Sequence, residues 1–465
     1  MEHTFRIEQD SVGSLPVPAD AYYGIHTLRA QENFPITGHR MLFLFVQQIA
    51  LVKKAAAITN KEGGFLPADK ADAIVWACDR ILAGEHQEDF FIDAMQGGAG
   101  TSANMNVNEV VANIAIEHLG GALGDYSIIH PNDHVNMAQS TNDVIPSAAK
   151  LTTLVLARAL MKELSKLKAA LEEKANAFDH ILKMGRTQMQ DAVPMRLGQS
   201  FAAFAAAIGR DIHRLEDSLD AMRVLNMGAT AIGSGINVPP AYFNKICPTI
   251  SALFGEKLTQ AGDLFDATQN IDGFVEVSGA LKSCAVNLSK MANDLRLLSS
   301  GPRTGFGEIN LPPRQNGSSI MPGKINPVIP EIVNQAAFLV IGHDVTITIA
   351  AQAGQLELNA FGPVIFYQLF EAFLTLAGAV DSLTRFCIRD LTANEDRCRE
   401  LVDASVGVVT ALVPHIGYKE ASRIAHEALD TGLPVKDIVL RDGIMDEKTL
   451  TQILDPHRLT EPVRE

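Results

Sequence analysis

Four short polar segments stand out from otherwise ordinary sequence as places where chemistry could be done. They are Gly97-Gly-Ala-Gly-Thr-Ser-Ala-Asn104, Gln139-Ser-Thr-Asn-Asp143, Gly185-Arg-Thr-Gln188 and Gly317-Ser-Ser-Ile-Met-Pro-Gly-Lys-Ile-Asn326. Each mixes glycine or other small residues with hydroxyls and amides, and three of them come just before a long helical pattern. A helix start offers N–H groups without intrahelical partners and the positive end of the helix dipole, a combination that suits an anion. Taken singly, any one segment is also an ordinary helix cap, since Ser, Thr and Asn are favoured there. The fourth is less ordinary. A Gly-Ser-Ser run, two prolines and a lone Lys324 lie between helices, with Asn326 directly before Pro327. Lys324 and Asn326, two apart near a helix start, suit the gripping of a carboxylate, where a charge-assisted hydrogen bond is worth about 1.5–3 kcal/mol.

Other patterns fail. Gly228-Ala-Thr-Ala-Ile-Gly233 has the spacing of a phosphate loop, but Ser234 stands where that loop needs Lys. Gly98-Ala-Gly100 begins like a dinucleotide fingerprint, yet Ala103 takes the third glycine position and no strand pattern precedes it. His130 and His134 are four apart, but Pro131 and the lack of a following Glu spoil a metalloprotease reading, so no metal site is assigned. Gly317-Ser-Ser is not a nucleophile elbow, because Met321 replaces the closing glycine.

Composition narrows the class. The 465 residues carry 39 Lys+Arg against 54 Asp+Glu, a formal charge of −15, which argues against nucleic acid or an anionic membrane as partner. With 47% apolar and 20% charged residues the balance is globular, and the length gives a prior of roughly three domains. Cys78, Cys247, Cys284, Cys387 and Cys398 are scattered without any C-x-x-C, which reads as reduced thiols of a cytoplasmic protein. The N-terminus shows no positive stretch followed by an apolar run, so no secretory signal is read. No stretch of about 18 uninterrupted apolar residues occurs, so no membrane span is expected.

Helices must position the polar segments. Glycine and proline are absent from Ser147 to Met184, and Leu154, Leu160, Leu164, Leu167 and Leu171 follow helical spacing, which predicts a helix over 146–183. Similar patterns cover 195–227 and 264–299, each roughly 45 Å or more at about 1.5 Å per residue. Two more are expected over 327–350 and 362–387. The 264–299 stretch is apolar on several faces through Phe274, Val277, Leu281, Val286 and Leu288, and such a helix is buried on several faces. Helices of this length cannot bury those faces in a small monomeric core, which predicts a long-helix bundle packed against other subunits. The class expected is therefore all-α in the main. Its divisions are a mostly helical part over 1–140, the long-helix bundle over 141–394, and a small helical domain over 395–465 punctuated by Gly432, Pro434 and Gly443.

The run GSSIMPGKINP at 317–327 resembles the pattern G-S-S-x-M-P-x-K-x-N of the fumarase/aspartase superfamily, which is highly specific. The resemblance continues through 20–34, 96–110, 138–146, 184–194 and 225–235 and spans essentially the whole chain. It implies a three-domain, mainly helical fold with a central bundle, a homotetramer with shared active sites, a small-molecule substrate and no cofactor. Gly24-Ile-His-Thr-Leu-Arg29 is similar to the branch that releases ammonia from L-aspartate, where hydratases resemble G-A-Q-T-Q-R. Gln188 points away from the hydratases, which carry His there for handling water; some members of the ammonia-releasing branch keep that His as well. One departure is Gly362, directly before Pro363, where several members of that branch show Glu before the proline. A fumarate hydratase, a lyase for an N-substituted aspartate and a non-catalytic structural homologue are the competing readings.

The resemblance also implies roles. Ser318 is the base. Thr101, Ser140, Thr141 and Ser319 supply donors to the β-carboxylate as it takes up charge. Thr187, Lys324 and Asn326 hold the unreactive α-carboxylate, Asn142 with Thr101 and Gln188 meets the amino group, and Met321 belongs to the substrate-binding set. Gly317 and Gly323 bracket a loop expected to close over the substrate.

Overall fold

The computed structural model describes residues 4–461. It opens on a hairpin of β1 (Phe5–Gln9) and β2 (Ser14–Pro18), followed by helix α1 (Ile25–Asn33). Asp10 closes the hairpin turn by accepting the N–H groups of Val12 and Gly13. Arg29 of α1 donates to the same carboxylate through Nε at 2.8 Å and Nη2 at 2.9 Å. Chiefly that pairing holds the Asp10 carboxyl down at about 2, against an ordinary 3.8. A carboxyl depressed by folding stabilises the fold above its unfolded pKa, and the gain is lost as pH falls through its folded one. Asp10→Asn is therefore expected to lower the melting temperature at neutral pH. In melts taken at successive pH values, the gap to the parent closes between about pH 4 and about pH 2.

Helices then dominate, with α2 (Phe43–Glu62), α3 (Ala68–Leu82) and the almost wholly buried α4 (Thr101–His118). The long α5 (Thr141–Ala177) begins before the expected start and carries Pro146 inside it. Proline has no N–H, so the carbonyl of Asn142 loses its helical donor. Asn226 Nδ2 supplies one instead, at 3.0 Å. Where the sequence predicted the end of one helix and the start of the next, the chain forms a hairpin of β3 (Leu182–Thr187) and β4 (Gln190–Arg196). Then follow α6 (Leu197–Ser218), shorter than expected, and α7 (Pro240–Phe254). The single helix expected over 264–299 is two, α8 (Leu264–Gln269) and α9 (Asp272–Leu298). Asp263 caps α8 by accepting from Phe265 and Asp266, and Asn270 is extended, which separates the pair. α10 (Val328–Gln352) and α11 (Gly362–Leu383) match their expected ranges closely. Short helices follow to residue 460 around a core of Leu412, Ile424, Ile438, Val439 and Leu450. All five cysteines are buried.

The chain forms two compact units. One gathers residues up to Leu160, Arg214–Ser283 and Leu339–Thr375; the other gathers Met161–His213, Cys284–Phe338 and the residues from Leu376 onward. Each of α5, α6, α9, α10 and α11 contributes residues to both. In the first unit Phe45 meets Phe370 at 5.5 Å between ring centres and Phe274 meets Phe366 at 5.0 Å.

Among the described residues three helices are long and apolar enough to cross a bilayer by length and composition: Thr141–Ala177, Val328–Gln352 and Gly362–Ile388. Unbroken apolar runs do not reveal them, because scattered polar residues and an occasional charge, such as Lys150 and Arg158 in the first and Asn334 and Asp344 in the second, interrupt each run while leaving its average apolar. The apolar stretch of the first is 67% buried in this chain, but that of α10 only 39%. On α10 Phe338, Leu339, Val345 and Ile349 are each more than half exposed.

Candidate active site

The first polar segment is a tight turn with Ala99 at φ 55° and Gly100 at φ 91°. A Cβ on Gly100 would stand 2.9 Å from Ile145 Cγ2, so glycine lets the start of α4 approach that of α5. Thr101 is the first residue of α4 and is exposed; its Oγ1 donates to the carbonyl of Gly98 at 2.8 Å. Gln96 Oε1 accepts the N–H of Ala103 at 2.7 Å, so a residue upstream of the turn supplies the helix cap.

The second segment begins α5 with a reciprocal cap. Ser140 Oγ accepts the N–H of Asn142 at 3.2 Å, and Asp143 Oδ1 accepts the N–H of Ser140 at 2.9 Å. Ser140, Thr141 and Asn142 are half-buried. Asn142 Nδ2 donates to the carbonyl of Ala231 at 2.7 Å, which turns Oδ1 into the free end of that amide. An amide oxygen is the end that an ammonium group needs. Beside these two segments lies a cavity of about 260 Å³, lined by Gln96, Gly100, Ile145, Phe366 and Phe370 among others.

Thr187 and Gln188 sit at the tip of the β3–β4 hairpin. Thr187 pairs with Gln190, so Gln188 and Met189 form a two-residue turn, at φ 55° and 65°. That left-handed pair normally calls for Asn-Gly, and non-glycine residues there cost roughly 1–3 kcal/mol each. Behind the tip Arg186 lies 4.1 Å from the centre of the Phe306 ring and donates to Glu308 Oε1 at 2.9 Å. Lys183 Nζ lies 3.5 Å from the other oxygen of Glu308, which is completely buried. A cavity of about 540 Å³ opens here, lined by Lys183, Arg186, Gln188, Met189, Phe306 and Lys290 among others, and by no residue of the 317–326 segment. Its cations are all paired, Lys183 and Arg186 with Glu308 and Lys290 with Asp294, which also lines the cavity.

The fourth segment is a loop tied at its base. Gly317 donates its N–H to the carbonyl of Lys324 at 2.8 Å, and its own carbonyl accepts Asn326 Nδ2 at 2.8 Å. A Cβ on Gly317 would collide with the Lys324 carbonyl. Gly317 thus staples the base of the loop, while Gly323, at φ 79°, has open space around it. One amide hydrogen of Asn326 is committed to the staple, and the other is left for a ligand. Ser318 Oγ accepts the N–H of Ile320 at 3.2 Å and of Met321 at 3.1 Å. Ser319, Met321 and Lys324 are exposed, and Lys324 has no ion-pair partner among the described residues.

The first unit therefore carries Thr101, Ser140, Thr141 and Asn142, with the Gly100–Ile145 contact joining their segments. Thr187, Gln188, Ser318, Ser319, Met321, Lys324 and Asn326 belong to the second. Three buried acids behind the segments escaped the sequence reading. Asp143 and Glu308 are two. The third, Glu109, is fully buried in α4 and accepts the N–H groups of Gly24, His26 and Thr27 and the Thr27 hydroxyl. Burial pushes its carboxyl up to about 7. The spacing Ser140-x-x-Asp143 is a capping pattern that could have flagged the first; the other two have no local signal.

Residues 13–342 match the lyase family, and residues 408–461 match the fumarase C C-terminus. The chain is 52% identical over 460 residues to an aspartate ammonia-lyase of Pseudomonas aeruginosa, covering 98% of this chain and 97% of that protein. It is 48% identical to an aspartate ammonia-lyase of Bacillus subtilis, over 98% and 96% of the two chains. Among solved structures it is similar to a fumarate lyase:delta crystallin from Brucella melitensis, with a TM-score of 0.96 at 49% identity, covering 99% of this chain and 100% of that one. A class II fumarase from Schistosoma mansoni gives a TM-score of 0.94 at 32% identity, again over 99% and 100%.

Proposed function

The chain belongs to the lyase family that its residues 13–342 match, and from that premise we propose that it eliminates ammonia from L-aspartate to give fumarate. Carbon–nitrogen elimination needs a proton taken from the weakly acidic β-carbon. The C–H electron pair moves into the β-carboxylate as an enediolate, then returns to form the Cα–Cβ double bond as the amine leaves. Ser318 takes the proton on Oγ. Serine is a weak base unless its alkoxide is stabilised, and the observation that carries this reading is the pair of N–H groups, from Ile320 and Met321, aimed at that oxygen.

Thr101, Ser140, Thr141 and Ser319 supply neutral donors to the enediolate. A fixed cation there would bind the ground-state carboxylate strongly too, whereas donors placed for the developing charge favour the transition state. Thr187, Lys324 and the second amide hydrogen of Asn326 hold the α-carboxylate. Asn142 Oδ1, with Thr101 and Gln188, receives the ammonium group, and Met321 lines the substrate. We assign no cofactor. The enzyme is a soluble, cytoplasmic homotetramer in this reading, its three parts divided at 140 and 394, with the exposed apolar face of α10 covered by other copies and each site shared between chains.

Hydration of fumarate is the second reading, since the fumarase from Schistosoma mansoni has the same fold. Gln188 weighs against it, because an amide cannot act as a base toward water. The two separate cleanly in one assay. Incubated with L-aspartate, the enzyme is expected to release ammonia and fumarate in equal amounts, and fumarate with ammonium to return aspartate. Malate formed from fumarate alone would install the hydratase instead, and ammonia released only from N-substituted aspartates would move the substrate.

A further inference from the structure

We propose that Asp143 is a positioning residue of this site, clamping the Ser140–Asn142 segment to the 226–231 turn; the proposal rests on the ammonia-lyase reading above. Four bonds join these two stretches. Asp143 Oδ2 accepts the N–H groups of Gly228 at 3.2 Å and Thr230 at 3.1 Å. Asn142 Nδ2 donates to the carbonyl of Ala231 at 2.7 Å, and Asn226 Nδ2 donates to the carbonyl of Asn142 at 3.0 Å. The other oxygen of Asp143 takes the N–H of Ser140 at 2.9 Å. One completely buried carboxylate thus sets the backbone of Ser140 and, through the turn, the direction of the Asn142 amide.

The turn is built for this task at a cost. Thr230, a β-branched residue, is held at φ 58°. Gly228 sits at φ 88°, where a Cβ would crowd the Phe243 ring at 3.0 Å. Such backbone persists only where its surroundings over-determine it, and here Asp143 takes the N–H groups of both residues.

A carboxylate is required because three N–H donors converge on two oxygens. An asparagine would turn its own NH₂ toward at least one of them, leaving opposed donors in the interior. Facing Asp143 is Lys53 of α2, wholly buried, with Nζ donating to Asn136 Oδ1 at 2.7 Å; burial pulls its ammonium down to about 7, so it is charged across the acid range in which Asp143 takes up a proton. From α7 come Tyr242 and Cys247, both kept neutral by burial, which pushes the thiol up to about 12 and the phenol well above its ordinary range. Burial, set against the downward pull of the N–H donors and Lys53, leaves the Asp143 carboxyl raised to about 6. The clamp is therefore anionic at neutral pH and close to the point where it is lost.

The test compares the parent, Asp143→Asn and Lys53→Met as full-length proteins on L-aspartate, with melting temperature and assembly measured for each. In Asp143→Asn the α-carboxylate contacts of Lys324, Thr187 and Asn326 remain, so KM is expected to move by only a few-fold. Misplacing the groups around the amine and the enediolate by about 1 Å lowers kcat about 100-fold. A merely structural residue would lower the melting temperature and leave kcat of the folded enzyme unchanged, and that result overturns the clamp. Lys53→Met serves should Asp143→Asn not fold: it keeps every hydrogen bond to Asp143 but removes the facing charge. Its acid limb of kcat is expected to shift to higher pH, with parental kcat regained at alkaline pH; an unshifted profile overturns the proposal. A parent that releases no ammonia from L-aspartate defeats the lyase reading and this inference with it, whereas an active parent matched by Asp143→Asn defeats the clamp alone.

Discussion

Ser318→Ala is expected to fold normally and yet release ammonia from L-aspartate about 10²–10⁴-fold more slowly than the parent, the range of a lost base. The substitution spares the loop. Its base is tied by Gly317 N–H to the Lys324 carbonyl and by Asn326 Nδ2 to the Gly317 carbonyl, and neither bond involves the serine side chain. The N–H groups of Ile320 and Met321 lose their acceptor, but both residues are exposed and water replaces it. What disappears is the atom that receives the β-proton. The groups assigned to the two carboxylates are untouched, so a non-reacting dicarboxylate such as succinate binds with near-parental affinity. Calorimetric titration of succinate beside a turnover assay separates these effects. Parental turnover would move the base elsewhere; loss of succinate binding would make Ser318 a structural element of the loop.

The long helices were legible because helix formation leaves a local record. No glycine or proline interrupts residues 147–184, and the leucine spacing marks the buried face. Where α5 stops was not legible, because the cause is distant in sequence. The chain returns through the hairpin, Leu197 donates its N–H to the carbonyl of Ile181, and Gly198 donates to that of Phe178, which seats the start of α6 against the end of α5. Only glycine fits there, since a Cβ would run into the Ala175 carbonyl. The hairpin itself is hidden by Gly185 and Pro194, which break the alternation of a strand; the pairing accommodates them with a register shift between Met184 and Arg186. Likewise, the polar segments were visible as clusters of hydroxyls, amides and glycines. The acids behind them were not, because Glu109 holds backbone N–H groups and Glu308 holds the side chains of Lys183 and Arg186 far away in sequence, and a lone acid in sequence looks the same whether it is solvated or buried.

A different signature is expected at Lys324. Its replacement by Met should raise KM for L-aspartate about 10–100-fold, the equivalent of one charge-assisted hydrogen bond, while kcat changes little. The α-carboxylate keeps its charge throughout the reaction, so a group that holds it binds substrate and transition state alike, and its loss appears in KM. Methionine keeps the length of the stem, and both backbone bonds of residue 324, from its N–H to the Met321 carbonyl and from the Gly317 N–H to its own carbonyl, survive. The exposed ammonium has no ion-pair partner among the described residues, so removing it strands no buried charge. It also opposes the field of the whole chain, which at −15 repels a dicarboxylate. Raising ionic strength screens that repulsion and the local attraction together, and the attraction at contact distance is screened less than the long-range field. The parent KM is accordingly expected to vary little with salt, whereas the KM of Lys324→Met, left with the repulsion alone, falls as salt is added. A collapse of kcat at unchanged KM would instead place Lys324 beside the carboxylate that becomes the enediolate, and would exchange the two ends of the substrate in the site.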